Sequence, residues 1–285
     1  MTHAVFLWYS YPMIKVKTIH EEVILIPTIF PDGTSQIWKL PNPEILTRKE
    51  YVITWNFESE REIYDIYSFH TLLHENRERD DLPTVHLRMP YLPFGRQDKP
   101  VSNNTTFNLR VFARLINNLG FKSVATVDAH NPIVASEFFQ LGFKNISVDK
   151  IHSELISSYN PTYIVFPDKG AQDRYKNLSH FSTIFCEKVR DQATGQITGV
   201  NVDFPQFTTL RPTDKLLIID DLCDGGATFI AVAKALRENT MPNIRIALFV
   251  THGIFSKGRK HLLDNGIDEI YTTNSLLHNK DGFSV

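Results

Sequence analysis

Asp220-Asp221-Leu222-Cys223-Asp224-Gly225-Gly226-Ala227-Thr228 is the stretch on which the reading of this chain turns. The apolar run Leu216-Leu217-Ile218-Ile219 precedes it, and helical spacing follows at Ile230, Ala231, Lys234 and Ala235. A buried strand thus ends in two carboxylates, turns through glycines and enters a helix at Thr228. Carboxylates so placed can accept hydrogen bonds from sugar hydroxyls. Main-chain N–H groups of the glycine turn and the helix start can hold a phosphate. A tight strand-to-helix turn with aspartate caps explains the same residues.

Outward from this stretch, short apolar runs alternate with helical spacing. The pattern predicts strands at residues 23–30, 51–55, 84–89, 123–127, 162–166, 183–187, 215–219, 244–250 and 269–272. It predicts helices at 61–75 (apolar Ile63, Ile66, Tyr67, Leu73), 106–119 (Phe107, Val111 and Leu115 one turn apart), 133–141, 228–239 and 257–265. Such alternation implies an α/β fold with mainly parallel sheets flanked by helices. Ligands then bind beyond the carboxyl ends of the strands. A boundary near Asp149 divides the chain into domains 1–148 and 149–285, and each half carries a strand running into an aspartate and then a helix (Asp128, Asp220). Residues 190–213, with Gly195, Gly199, Pro205 and Pro212, read as a mobile loop or short hairpin.

A chain of 285 residues is long enough for two modest domains. Thirty Lys and Arg against 32 Asp and Glu leave a formal net charge of −2, so no nucleic-acid partner is expected. No apolar run approaches the roughly 18 residues of a membrane span, so no membrane partner is expected either. Residues 4–11 are apolar but too short, and they lack the basic start of a secretory signal. Cys186 and Cys223 make no disulfide framework, which points to a reducing, cytoplasmic setting. Neither CxxC nor HExxH spacing occurs, so a structural zinc site is not expected.

Polar clusters follow several predicted strands. After residue 89 comes Pro90-Tyr-Leu-Pro-Phe-Gly-Arg96-Gln97-Asp98-Lys99. Arg96 suits a bidentate grip on phosphate and Gln97 a base edge, while a solvated loop with a local Arg–Asp pair is the plainer account. Asp128-Ala-His130-Asn131-Pro132 follows residue 127; His130 can meet a divalent cation or a phosphate, or simply cap the next helix. Pro167-Asp168-Lys169-Gly170 follows residue 166; Asp168 can hold Mg²⁺ through water, and the same run is a good type I β-turn. Strand alternation puts Lys188 and Arg190 on one face, where two cations favour an anion between them or guard a sheet edge. Phe30-Pro31-Asp32-Gly33 ends the first strand; Phe30 can stack on a base or belong to the core. Together the clusters suit nucleotide phosphates, Mg²⁺ and a sugar.

In order and spacing, these segments resemble those of the ribose-phosphate diphosphokinases (PRPP synthetases), from about Val23 to about Ser275. Phe30-Pro-Asp32-Gly resembles the family's adenine-contacting segment. Pro90 to Asp98 resembles its Arg-Gln-Asp segment, the most specific match. Asp128-Ala-His130 resembles its Asp-Leu-His element, Pro167-Asp168 its metal site, and Lys188 with Arg190 its catalytic cation pair. Asp220 to Thr228 resembles the phosphoribosyl loop, and Thr251-His252-Gly253 also recurs. Three departures stand out. A hydroxyl expected in the loop is missing at Gly225, the glutamate expected after Asp-Gly is Thr34, and residues 5–27 show no opening helix.

The resemblance implies two phosphoribosyltransferase-like domains and transfer of the β,γ-diphosphoryl group of ATP to ribose 5-phosphate, with Mg²⁺ as cofactor and ATP as co-substrate. Lys188, Arg190 and His130 would be catalytic, and His130 and Asp168 would hold the metal. Phe30, Asp32, Arg96, Gln97 and Asp98 would bind ATP. Asp220, Asp221, Asp224, Gly225, Gly226, Ala227 and Thr228 would bind the ribose phosphate. A homo-oligomer is also implied. The departures at Gly225 and in the opening segment leave room for a larger 5-substituted ribose such as ADP-ribose as acceptor. A non-catalytic regulatory homologue and a phosphoribosyltransferase consuming PRPP are further alternatives.

Overall fold

Each half of the chain buries its alternating apolar residues in a sheet of its own. The computed structural model describes residues 14–75, 77–140, 142–190, 197–205, 210–239 and 244–276, with the main chain alone at Arg79, Arg190, Ile197 and Thr198. Two compact units divide at Ser147/Val148.

The first unit runs β1 (Ile14–Lys17), β2 (Glu22–Leu25), the hairpin β3 (Thr28–Ile29) and β4 (Ser35–Gln36), β5 (Glu50–Trp55), α1 (Glu62–Glu75), β6 (Thr84–Met89), α2 (Asn108–Asn118), β7 (Ser123–Val127), α3 (Pro132–Phe138) and β8 (Phe143–Ile146). Its sheet has the order β2-β1-β5-β6-β7-β8. Strands β5 to β8 are parallel, and β1 and β2 add antiparallel at one side. Parallel neighbours need a crossover, and α1, α2 and α3 supply them. Glu62, buried at the start of α1, accepts from the Trp55 indole N–H (2.7 Å) and from the N–H groups of Glu58 and Ser59 (3.0 and 3.1 Å). One carboxylate thereby fixes the helix entry to the strand that precedes it.

The second unit runs α4 (Asp149–Tyr159), β9 (Tyr163–Phe166), α5 (Lys169–Arg174), β10 (Thr183–Arg190), β11 (Ile197–Asp203), β12 (Lys215–Cys223), α6 (Ala227–Glu238), β13 (Arg245–Gly253), α7 (Arg259–Leu263) and β14 (Glu269–Thr272). Its order is β11-β10-β9-β12-β13-β14, parallel except for the β10–β11 hairpin. Leu216 to Ile219 on β12 are wholly buried, as expected of a central strand covered on both faces. The chain steps from β9 outward to β10 and returns to lay β12 on the other side of β9. That reversal is a topological switch point, and it opens a crevice beyond the carboxyl ends of β9 and β12.

Several sequence expectations are corrected. The strand expected at 23–30 stops at Leu25, because Pro27 has no N–H to continue the ladder and Ile26 turns out to solvent. The strand expected at 215–219 continues through both aspartates to Cys223, paired along β13. On α2 the buried stripe is Leu109, Phe112, Ala113 and Ile116, whereas Val111 and Leu115 are half exposed. Both stripes have helical spacing, and packing on the sheet chose between them. Pro167 to Gly170 is no β-turn, since Asp168 caps α5. Elements absent from the sequence expectations are β1, β4, β8, α4 and α5, while β11 falls in the stretch 190–213 expected as a mobile loop or short hairpin. Strand β8 hides its signal because Lys144 and Asn145 are solvated. Helix α4 carried a legible one, with His152, Leu155, Ile156 and Tyr159 along one stripe.

Candidate functional site

In the first unit the loop after β6 and the turn after β7 meet. The Asn131 side-chain N–H₂ donates to Asp98 (2.8 Å), and the other end of the Asn131 amide caps α3 by accepting from Val134 N–H. Asp98 is so held beside Asn131, the chain neighbour of His130, at the carboxyl ends of β6 and β7. Arg96 and Gln97 are exposed and His130 is half-buried. Two residues of positive φ, Phe94 (62°) and Asp128 (45°), shape the two bends. The local Arg–Asp pair weighed from the sequence is replaced by the Asn131–Asp98 bond. Phe30 and Asp32 lie on the β3–β4 hairpin, which is tied to α1 through the Ser35 hydroxyl and Asp65. The Thr34 hydroxyl (2.7 Å) and Thr34 N–H (3.0 Å) both donate to one Asp32 oxygen and hold that carboxyl below its usual range. The Phe30 ring meets Trp38 edge-on at 6.3 Å.

In the second unit the chemistry gathers at the switch point. Asp168 lies two residues past β9; one oxygen accepts from Ala171 N–H (2.9 Å) as the cap of α5, and the other takes the Lys188 ammonium (2.7 Å) from β10. Burial pushes the Asp168 carboxyl up, but the bonds from Lys188 and Ala171 outweigh it and leave the pKa below the ordinary value. Arg174, on the last turn of α5, places its guanidinium 2.7 Å from Asp221 and 3.5 Å from Asp220 on β12. Burial first, and the Asp221 charge second, push Asp220 well above the carboxylate range. Arg174 therefore serves Asp221 chiefly, while Asp220 is the costly charge in the group. Asp168, Lys188 and Gln172 also line a cavity of about 620 Å³ between α5 and the β10–β11 hairpin.

After Cys223 the chain turns through Asp224, Gly225 and Gly226 into α6, whose first residues are Ala227 and Thr228. Gly226 has φ 80°, and a Cβ there would stand 2.6 Å from the Leu262 side chain of α7. Only glycine satisfies both the backbone and that close approach. The Cys223 thiol is buried and pushed up to about 12, so it packs the turn and is no nucleophile near neutral pH. The Arg190 side chain lies outside the described residues. Arg174 was missed from the sequence because Pro-Asp-Lys-Gly read as a turn, and without α5 it had no helix face to sit on. Among the described residues no three His, Cys, Asp or Glu side chains gather as a metal-binding group, and no helix is long and apolar enough to cross a membrane.

The family model described as "Phosphoribosyl synthetase-associated domain" matches residues 213–284, which include β12, the glycine turn and α6. The chain is 28% identical over 265 residues to the ribose-phosphate pyrophosphokinase of Mycoplasmopsis pulmonis, covering 87% of this chain and 75% of that protein. It is 28% identical over 258 residues to the one from Pyrococcus furiosus, covering 87% and 84%. Among solved structures, phosphoribosylpyrophosphate synthetase from Mycobacterium smegmatis superimposes with a TM-score of 0.71 at 19% identity, over 91% of this chain and 83% of that one. This likeness bears on the fold, and it agrees with two mainly parallel α/β sheets of phosphoribosyltransferase-like type. By the length of the match and the order of its strand-end segments, the chain is similar to the ribose-phosphate pyrophosphokinases over most of its length.

Proposed function

We propose that this protein transfers the β,γ-diphosphoryl group of ATP to the C1 hydroxyl of ribose 5-phosphate, giving PRPP and AMP with Mg²⁺ as cofactor. The observation that carries the reading is the junction at the β9/β12 switch point. There the Asp168–Lys188 and Arg174–Asp221 pairs stand at the carboxyl ends of neighbouring strands, and the glycine turn follows from β12. The names of the relatives support the reaction class.

Asp220 and Asp221 accept hydrogen bonds from the 2- and 3-hydroxyls of the pentose, and the N–H groups of Asp224 to Thr228 hold the 5-phosphate. Arg96, Gln97 and Asp98 bind ATP, with Phe30 and Asp32 at the adenine. The C1 hydroxyl attacks the β-phosphorus, the bond to the α-phosphate oxygen breaks and AMP leaves. Lys188 gives up the Asp168 carboxylate for phosphate oxygens and, with Arg190, neutralises the charge that develops there. Asp168 in the second unit and His130 in the first are, each at its own strand end, residues that would hold Mg²⁺. The single carboxylate of Asp168 suits that ion, which keeps several waters and takes substrate phosphates as ligands. Held there, Mg²⁺ would supply neutralisation of the triphosphate charge. A cytoplasmic, homo-oligomeric protein completes the reading.

The test is AMP formation from ATP and Mg²⁺ with a panel of acceptors. Ribose 5-phosphate is expected to be the best. A strong preference for ADP-ribose would move the acceptor to the larger class. ATP binding with no AMP from any acceptor would favour a non-catalytic regulator. Pyrophosphate release from PRPP and a base, with no use of ATP, would make the chain a phosphoribosyltransferase.

A further inference from the structure

Gly225 stands where a hydroxyl would be expected to help hold the 5-phosphate, but the space beside it is not bare. A Cβ built on Gly225 would lie 3.6 Å from Cε and 3.7 Å from Cδ of Lys257, and 3.7 Å from the Ser256 hydroxyl. The lysine stem thus lies along the glycine, and its ammonium is one bond beyond the nearest of these atoms.

The segment bearing Lys257 is held in place by the turn it overlooks. Ile254 N–H and Phe255 N–H both donate to the Cys223 carbonyl (2.9 and 3.1 Å), the last residue of β12. Phe255 has φ 47° and is buried, with its ring against Gly253, where a Cβ would come within 2.1 Å of it. Gly258 N–H then returns to the Phe255 carbonyl (2.7 Å), closing a tight bend over Ser256 and Lys257. A non-glycine residue kept at positive φ persists where the surroundings over-determine it. What this bend presents at its tip is one exposed hydroxyl and one exposed ammonium beside the start of α6. The Lys260 charge nearby is matched by Asp264 within its own helix.

We infer that Lys257, with the Ser256 hydroxyl, completes the phosphate subsite at Gly225 and makes it selective for a phosphomonoester on the pentose. A hydroxyl in the turn would give one neutral donor. The lysine brings a full positive charge and three donors to the same place, which favours the dianion of a terminal phosphate. This inference rests on the reading of Asp224 to Thr228 as the phosphate-holding turn, and it adds a residue from a different element.

Calorimetric titration of ribose 5-phosphate into the full chain tests it, comparing the parent with Lys257→Met and Lys257→Arg. Both changes are at an exposed side chain, so the fold is preserved and circular dichroism verifies it. Loss of one charge-assisted hydrogen bond is expected to weaken ribose 5-phosphate binding about tenfold or more in Lys257→Met. Lys257→Arg should stay within about threefold of the parent, because the charge is kept. In turnover, KM for ribose 5-phosphate should rise by more than kcat falls. Equal affinity of the parent and Lys257→Met would overturn the inference while leaving the phosphate turn intact. Failure of the parent itself to bind ribose 5-phosphate would overturn the turn and the inference together.

Discussion

Replacing Arg174 by methionine isolates the electrostatics of the switch point. The three side chains involved are nearly closed to water, with Arg174 at 14%, Asp220 at 13% and Asp221 at 6% exposure. Methionine retains most of the stem, so the packing survives and the charge does not. Removing one partner of a buried ion pair costs about 3–5 kcal/mol, since the remaining charge is left in a poor solvent. The lower end, about 3 kcal/mol, applies here because proton uptake relieves part of the cost. With an m-value of about 2 kcal/mol/M, the urea midpoint falls by about 1.5 M. The pH dependence follows from Asp220, whose carboxyl is already raised by burial and by the Asp221 charge. Without the guanidinium, the folded-state pKa of Asp220 moves further above its unfolded value. The folded variant then binds a proton that the unfolded chain has released. Its stability is fully present below the unfolded pKa and is lost as pH rises through the folded one. The gap between parent and variant should therefore be widest near pH 8 and should narrow toward about pH 5. Urea unfolding followed by far-ultraviolet circular dichroism at both pH values measures it. A shift under about 0.5 M, or a gap that does not change with pH, refutes the argument.

Lys188→Ala should lower the rate of AMP formation about a hundredfold or more, because it removes a group that meets developing charge. It should cost under about 2 kcal/mol in stability, since Asp168 keeps the Ala171 N–H; near-normal turnover would remove Lys188 from the mechanism. Gly226→Ala should destabilise the chain by about 2 kcal/mol, combining a disfavoured positive φ with a Cβ 2.6 Å from Leu262. An unchanged melting temperature would show that Leu262 yields freely and that the turn can re-form.

The periodicities carried much of the architecture. Four consecutive buried residues before Asp220, and the helical spacing after Thr228, set a strand, a turn and a helix that the fold retains as β12 and α6. The site was legible where its residues are contiguous, as in Asp220 to Thr228, and where a strand visibly ends, as at Asp168. It was hidden where the local signal was ambiguous. On α2 two stripes had equal spacing, and the sheet buried Leu109, Phe112 and Ile116 while leaving Val111 and Leu115 at the surface. At α5, proline and glycine chemistry favoured a turn, and the aspartate cap made a short helix instead.

From the residues alone came the α/β class, the paired acidic strand end and the glycine turn, because backbone period and turn chemistry act over a few neighbouring residues. The partners of those carboxylates were decided by tertiary structure. Arg174 and Asp220 are 46 residues apart, and Lys188 is 20 residues from Asp168. They meet because β9 lies between β10 and β12, a strand order set by where buried apolar surface and parallel crossovers can be accommodated together. No local spacing encodes that order. The lysine lying along Gly225 likewise comes from a bend after β13, brought there by the pairing of Cys223 with Gly253.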